Sequence, residues 1–93
     1  MTVQDYTKAL CDLPGGREVQ IRHAIQEMAE LTVELTKELD GEGEMRQIRE
    51  EVADVHLMLA QLIEIFGFSR TELFWMQEDK MRRTFERKGM TWE

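Results

Sequence analysis

Ninety-three residues, one-third of them charged with a formal net charge of −7, make one small domain and argue against a general nucleic-acid binder, which needs a basic surface. The 42% apolar share, with seven Met, four Phe and two Trp, excludes a disordered chain. One cysteine, Cys11, excludes an internal disulfide framework and fits a reducing compartment, and no signal peptide or 18-residue apolar run is present, so the expectation is a soluble, cytoplasmic protein without a membrane contact.

A single proline and few β-branched runs point to an all-α chain. Thr2, with Asp5 three residues on, has the spacing of a helix N-terminus and opens a short helix ending near Leu10. Pro14, Gly15 and Gly16 make residues 12–16 a turn. A long helix follows from about Arg17 to Leu39, with Ile21, Ala24, Ile25, Met28, Leu31, Leu35 and Leu39 at helical spacing. Gly41 and Gly43 break it. The second long helix runs from about Met45 to Phe66, where Ile48, Val52, Val55, Leu59, Leu62 and Phe66 step by four and three as a core stripe. Ala53, Leu57 and Ala60 form a smaller strip on its other side, which reads as a subunit interface. Gly67 ends that helix. Ser69 with Glu72 has the spacing of a capping box for a last helix to about Lys88, with Leu73, Phe74, Met76 and Met81 on its apolar side. The expected architecture is one domain over residues 1–93, an antiparallel helical bundle with two long central helices and a C-terminal helix. A core this small is expected to be completed by a homodimer or homotetramer.

Two acidic pairs carry the chemistry. Glu27 and Glu30 lie three apart on one long helix, and Glu51 and Asp54 lie three apart on the next. Residues three apart on a helix have Cβ atoms roughly 5–6 Å apart, so each pair aims its oxygens at one point. None of the four has a Lys or Arg three or four residues away, whereas Glu18 can meet Arg22, Glu34 can meet Lys37, Glu50 can meet Arg46, and Asp79 can meet Arg83. At roughly 100° per residue, Glu51 and Glu27 border the apolar arcs of their helices. Carboxylates clustered at the rim of a core repel one another and lose hydration, and a bound cation removes both costs.

An all-oxygen donor set without a thiolate–imidazole group suits Mg²⁺, with Mn²⁺ as a substitute, rather than zinc. His23 and His56 could in principle ligate but read first as packed histidines, and Cys11 as a small apolar residue. Mg²⁺ is commonly completed by substrate phosphates, which makes a phosphorylated substrate the expected companion. Lys80, Arg83 and Arg87 share a face of the last helix and can neutralise polyphosphate charge, although a basic last turn also complements the helix dipole. Trp75, Trp92 and Tyr6 can stack a base, with core packing or tail docking as the plainer reading.

The segment QEMAELTVEL (26–35), followed by REEVADVHLML (49–59), resembles the MazG-like nucleotide pyrophosphohydrolases, which carry an E-x-x-E pair, a spacer and then E-x-x-D. DKMRRTFERKG (79–89) is similar to the family's basic closing helix, so the likeness covers residues 20–89. It implies hydrolysis of a nucleoside triphosphate between the α- and β-phosphates, as nucleotide-pool housekeeping, within an oligomeric helical bundle. Glu27, Glu30, Glu51 and Asp54 would hold Mg²⁺ and form the catalytic set, and Lys80 and Arg83 would contact phosphate. Two rivals share parts of this pattern. Phosphoribosyl-ATP pyrophosphohydrolase looks similar around both acidic motifs, and a non-catalytic helical dimerisation or adaptor module explains the apolar stripes.

Overall fold

A computed structural model describes all 93 residues as four helices: α1 (Val3–Cys11), α2 (Gly16–Leu39), α3 (Met45–Phe66) and α4 (Arg70–Arg87). The local signals act as their chemistry dictates. Thr2 and Asp5 form a reciprocal capping box at the start of α1. At Ser69 only half of the expected box forms: its hydroxyl accepts from the Glu72 N–H at 3.2 Å, and Glu72 does not reach back. Gly16 lets the start of α2 lie against the end of α1, because a Cβ there would collide with the Leu10 carbonyl oxygen. Gly67 takes the left-handed conformation (φ 67°) that stops α3, and the Phe68 N–H closes the turn on the Ile63 carbonyl at 3.0 Å. No helix is long and apolar enough to cross a membrane.

α2 and α3 form an antiparallel hairpin, with α1 packed against both. The seam between the long helices uses Gln20, Ala24 and Glu27 on α2 against Gln61, Met58 and Glu51 on α3. Ala24 and Met58 are the only buried large-or-small apolar side chains of the chain. α4 forms no packed interface with the other helices. The radius of gyration is 16.6 Å, against about 12 Å for a compact domain of this length.

Neither apolar strip of α3 is fully buried: Ile48, Val55 and Leu62 of the larger and Leu57 and Ala60 of the smaller are half-buried, while Phe66 and Ala53 are exposed. The stripe expected to form the core is only partly covered, with Val52 and Leu59 each 49% exposed. Ile25 and Met28 of α2 are exposed as well. The smaller strip, read as a subunit interface, lies toward α1: Leu57 lines a recess with Thr2, Val3 and Tyr6, and Ala60 is half-buried. The reason is geometric. Two antiparallel helices that face each other through a narrow seam leave their broad apolar arcs pointing the same way, and a nine-residue α1 covers only the opposite side.

At the seam, the buried Gln61 amide donates to the Gln20 side-chain oxygen at 3.2 Å, while Gln61 Oε1 and, on α1, the buried Thr7 hydroxyl find no donor or acceptor. An amide pair buried between two helices favours one register over neighbouring ones. Gln20→Leu alone strands the Gln61 amide and is expected to cost about 1–3 kcal/mol, whereas Gln20→Leu with Gln61→Leu should be near neutral. Chemical denaturation of the two variants checks this. Equal destabilisation by the single and the double change would contradict it.

Candidate metal centre

The antiparallel seam puts Glu27 of α2 opposite Glu51 and Asp54 of α3, with one carboxylate oxygen from each within 4.8 Å of the others. That span suits one hard cation, whose oxygen ligands sit at roughly 2.0–2.6 Å. Glu27 is largely withdrawn from solvent, its side chain 13% exposed, and Glu51 is half-buried, while Asp54 faces out. Glu27 Oε2 and Glu51 Oε2 are both buried without a hydrogen-bond donor. An anionic oxygen in that state carries a desolvation cost that a cation relieves.

The electrostatics agree. Burial, then the neighbouring charges of Glu30 and Asp54, push the Glu27 carboxyl above its usual value of 4.5, partly offset by its contact with His23. Burial, then Glu30, Glu27, Asp54 and Glu34, push Glu51 up from the same value. No lysine or arginine acts on either group.

These shifts set an unusual pH dependence. Between the usual value and the raised folded values, the folded chain binds more protons than the unfolded one. Stability of the metal-free protein therefore rises as pH falls through the folded values and declines as pH climbs back. Differential scanning of the chelated protein should give a higher Tm near about pH 5 than near about pH 7.5. Protons compete with the cation for the same oxygens, so stabilisation by Mg²⁺ should shrink over that window. A metal-free Tm that falls on acidification through it contradicts the assignment.

Of the four carboxylates expected in the cluster, three converge. Glu30 is exposed and its oxygens stand outside the trio, yet it is close enough to raise both Glu27 and Glu51. Lys80 and Arg83 are not brought to the centre within the chain, because α4 does not pack on the hairpin. Arg83 instead pairs with Asp79 on its own helix at 3.1 Å, and Lys80 makes no ion pair. The other three ion pairs expected from the sequence form as well: Glu18–Arg22 at 2.7 Å, Glu34–Lys37 at 3.4 Å and Arg46–Glu50 at 3.4 Å. His23 was read as a packed histidine; its ring nitrogen instead lies 2.9 Å from Glu27 Oε1 and the side chain is 45% exposed. Its four-residue spacing from Glu27 was the available signal. Trp92 docks its tail edge-on against Phe85, with ring centroids 5.6 Å apart. In comparisons with known proteins, no family model, no curated sequence and no solved structure matches the chain.

Proposed function

We propose that this chain is a Mg²⁺-dependent nucleoside triphosphate pyrophosphohydrolase of the MazG-like type, converting ribo- or deoxynucleoside triphosphates to monophosphates and pyrophosphate, and working as a homo-oligomer. The observation that carries the reading is that Glu27 and Glu51, which converge with Asp54 across two helices, each bury an oxygen (Oε2) without a hydrogen-bond donor. A solvated acidic surface does not bury such atoms.

Glu27, Glu51 and Asp54 hold the cation, for which Mn²⁺ can substitute. When bound, it supplies charge neutralisation on the phosphate oxygens and makes a neighbouring water more acidic. Glu30 is the carboxylate left outside the trio, since Glu34 is tied to Lys37. It orients the attacking water and accepts its proton as the water oxygen bonds to phosphorus and pyrophosphate leaves. Lys80 and Arg83 neutralise the leaving phosphates. His23 braces Glu27 through its Oε1.

The open apolar face favours a second reading, a helical dimerisation module without catalysis. A pyrophosphate-release screen with Mg²⁺ over all ribo- and deoxynucleoside triphosphates and phosphoribosyl-ATP separates the readings. Release from one or more nucleoside triphosphates supports the proposal. Release from phosphoribosyl-ATP alone assigns the rival hydrolase, and no release from any supports the dimerisation module.

A further inference from the structure

His23 and Glu27 stand four residues apart on α2, so their side chains meet on one face of the helix. The ring Nε2 lies 2.9 Å from Glu27 Oε1. A carboxylate that holds a cation is ionised, and an ionised oxygen only accepts, so Nε2 carries the hydrogen and donates it. The other oxygen, Glu27 Oε2, is buried with no donor. The two oxygens of this one ligand are therefore unlike. Oε1 is engaged by a protein hydrogen bond, and Oε2 is left for a cation shared with Glu51 and Asp54.

That inequality bears on which cation the centre prefers. Ca²⁺ takes about six to eight oxygens in flexible geometry and often both oxygens of one carboxylate. Mg²⁺ demands a near-ideal octahedron at roughly 2.0–2.1 Å and keeps several waters, so single oxygens from a few carboxylates suit it. Turning Glu27 onto a cation through both oxygens would give up the bond from His23. The Glu27 side chain is only 13% exposed, so little water is at hand to replace that donor. The His23 side chain is 45% exposed, and changing it opens no cavity in the seam.

We propose that His23 is a positioning residue that sets the cation preference of the centre: by holding Oε1 it confines Glu27 to a single metal bond through Oε2, which favours Mg²⁺ over Ca²⁺. The proposal rests on the metal centre given above and does not depend on pyrophosphate release. Hydrogen bonds to a metal ligand are typically worth about 10–100-fold in metal affinity. Removing this one weakens Mg²⁺, because Glu27 loses the group that aims it. The same change frees a second oxygen for Ca²⁺, so the ratio of the two affinities moves further than a loss of order alone would move it.

Titration calorimetry with Mg²⁺ and with Ca²⁺, at one fixed neutral pH on the full chain, tests this. Glu51→Gln protein reports cation uptake by the acidic surface outside the centre, which is subtracted. His23→Leu and His23→Ala both remove the donor, so the result does not hang on how one replacement packs. His23→Gln keeps an N–H donor within reach of Oε1. Both donor-free variants should raise the Mg²⁺ Kd by about 10-fold or more while the Ca²⁺ Kd stays level or falls, and His23→Gln should hold the wild-type ratio within about threefold. Equal weakening of both cations in the donor-free variants overturns the proposal, as does a wild type without preference or a His23→Gln ratio that falls as far as that of His23→Leu. A wild type that binds no more of either cation than Glu51→Gln removes the centre and this role with it. The expected binding pattern in a protein that releases no pyrophosphate removes the enzymatic reading alone and leaves the cation preference standing.

Discussion

Glu51→Gln and Asp54→Asn should each abolish two properties together: stabilisation by Mg²⁺ and release of pyrophosphate. Loss of a group that fixes charge at a reacting phosphate lowers turnover by about 10²–10³-fold. Saturating cation at 100 times its Kd stabilises the wild type by about 2.7 kcal/mol, which for a domain of this size is a Tm rise on the order of 10 °C or more. Both variants should lose most of that rise. The sign without metal is the sharper test. Glu51 is raised by burial and by four surrounding carboxylates, so neutralising it relieves strain in the empty centre. Chelated Glu51→Gln protein should therefore melt above chelated wild type. A variant that is less stable without metal, and still stabilised by it, would identify Glu51 as an ordinary structural side chain.

Leu59→Glu should unfold the chain rather than merely split an oligomer. One copy buries only Ala24 and Met58 among its apolar side chains, so in the proposed homo-oligomer a covered α2–α3 face would supply most of the core. A glutamate on that face places an unpaired charge in the interface, twice in a two-fold dimer, at a cost that exceeds the few kcal/mol by which small domains are stable. Circular dichroism should show a large loss of helix, and sedimentation a monomer. Ala53→Glu is the control. Ala53 lies exposed on the other strip, and its change should shift stability by less than about 0.5 kcal/mol. If Ala53→Glu dissociates the protein and Leu59→Glu does not, the interface lies where the sequence alone had put it.

The contrast between those two positions shows what the amino-acid order conveys. Helix limits were legible because glycine, serine and threonine act locally: Thr2, Gly16, Gly67 and Ser69 each work within one turn of their own position. The convergence of Glu27 with Glu51 and Asp54 was legible too, since a three-residue spacing fixes a face and a short connection forces an antiparallel neighbour. Periodicity does not say which face meets which neighbour. Val52 and Leu59 step as a core stripe whether the rest of the core is in the same chain or in another, so their exposure could not be read from spacing. The Gln20–Gln61 pair was invisible for a related reason: glutamine is common on helix surfaces, and only the packed seam buries it. Nor does local sequence fix the course of α4, which depends on a turn geometry shared by Gly67, Phe68 and Arg70.

The account stands on oxygens from α2 and α3 sharing one cation, and diffraction from crystals soaked in Mn²⁺ tests that directly. The anomalous difference map should show a peak between Glu27, Glu51 and Asp54, at roughly 2.0–2.6 Å from an oxygen of each. Ordered carboxylates with no peak among them, at Mn²⁺ concentrations that saturate known sites of this kind, would contradict it.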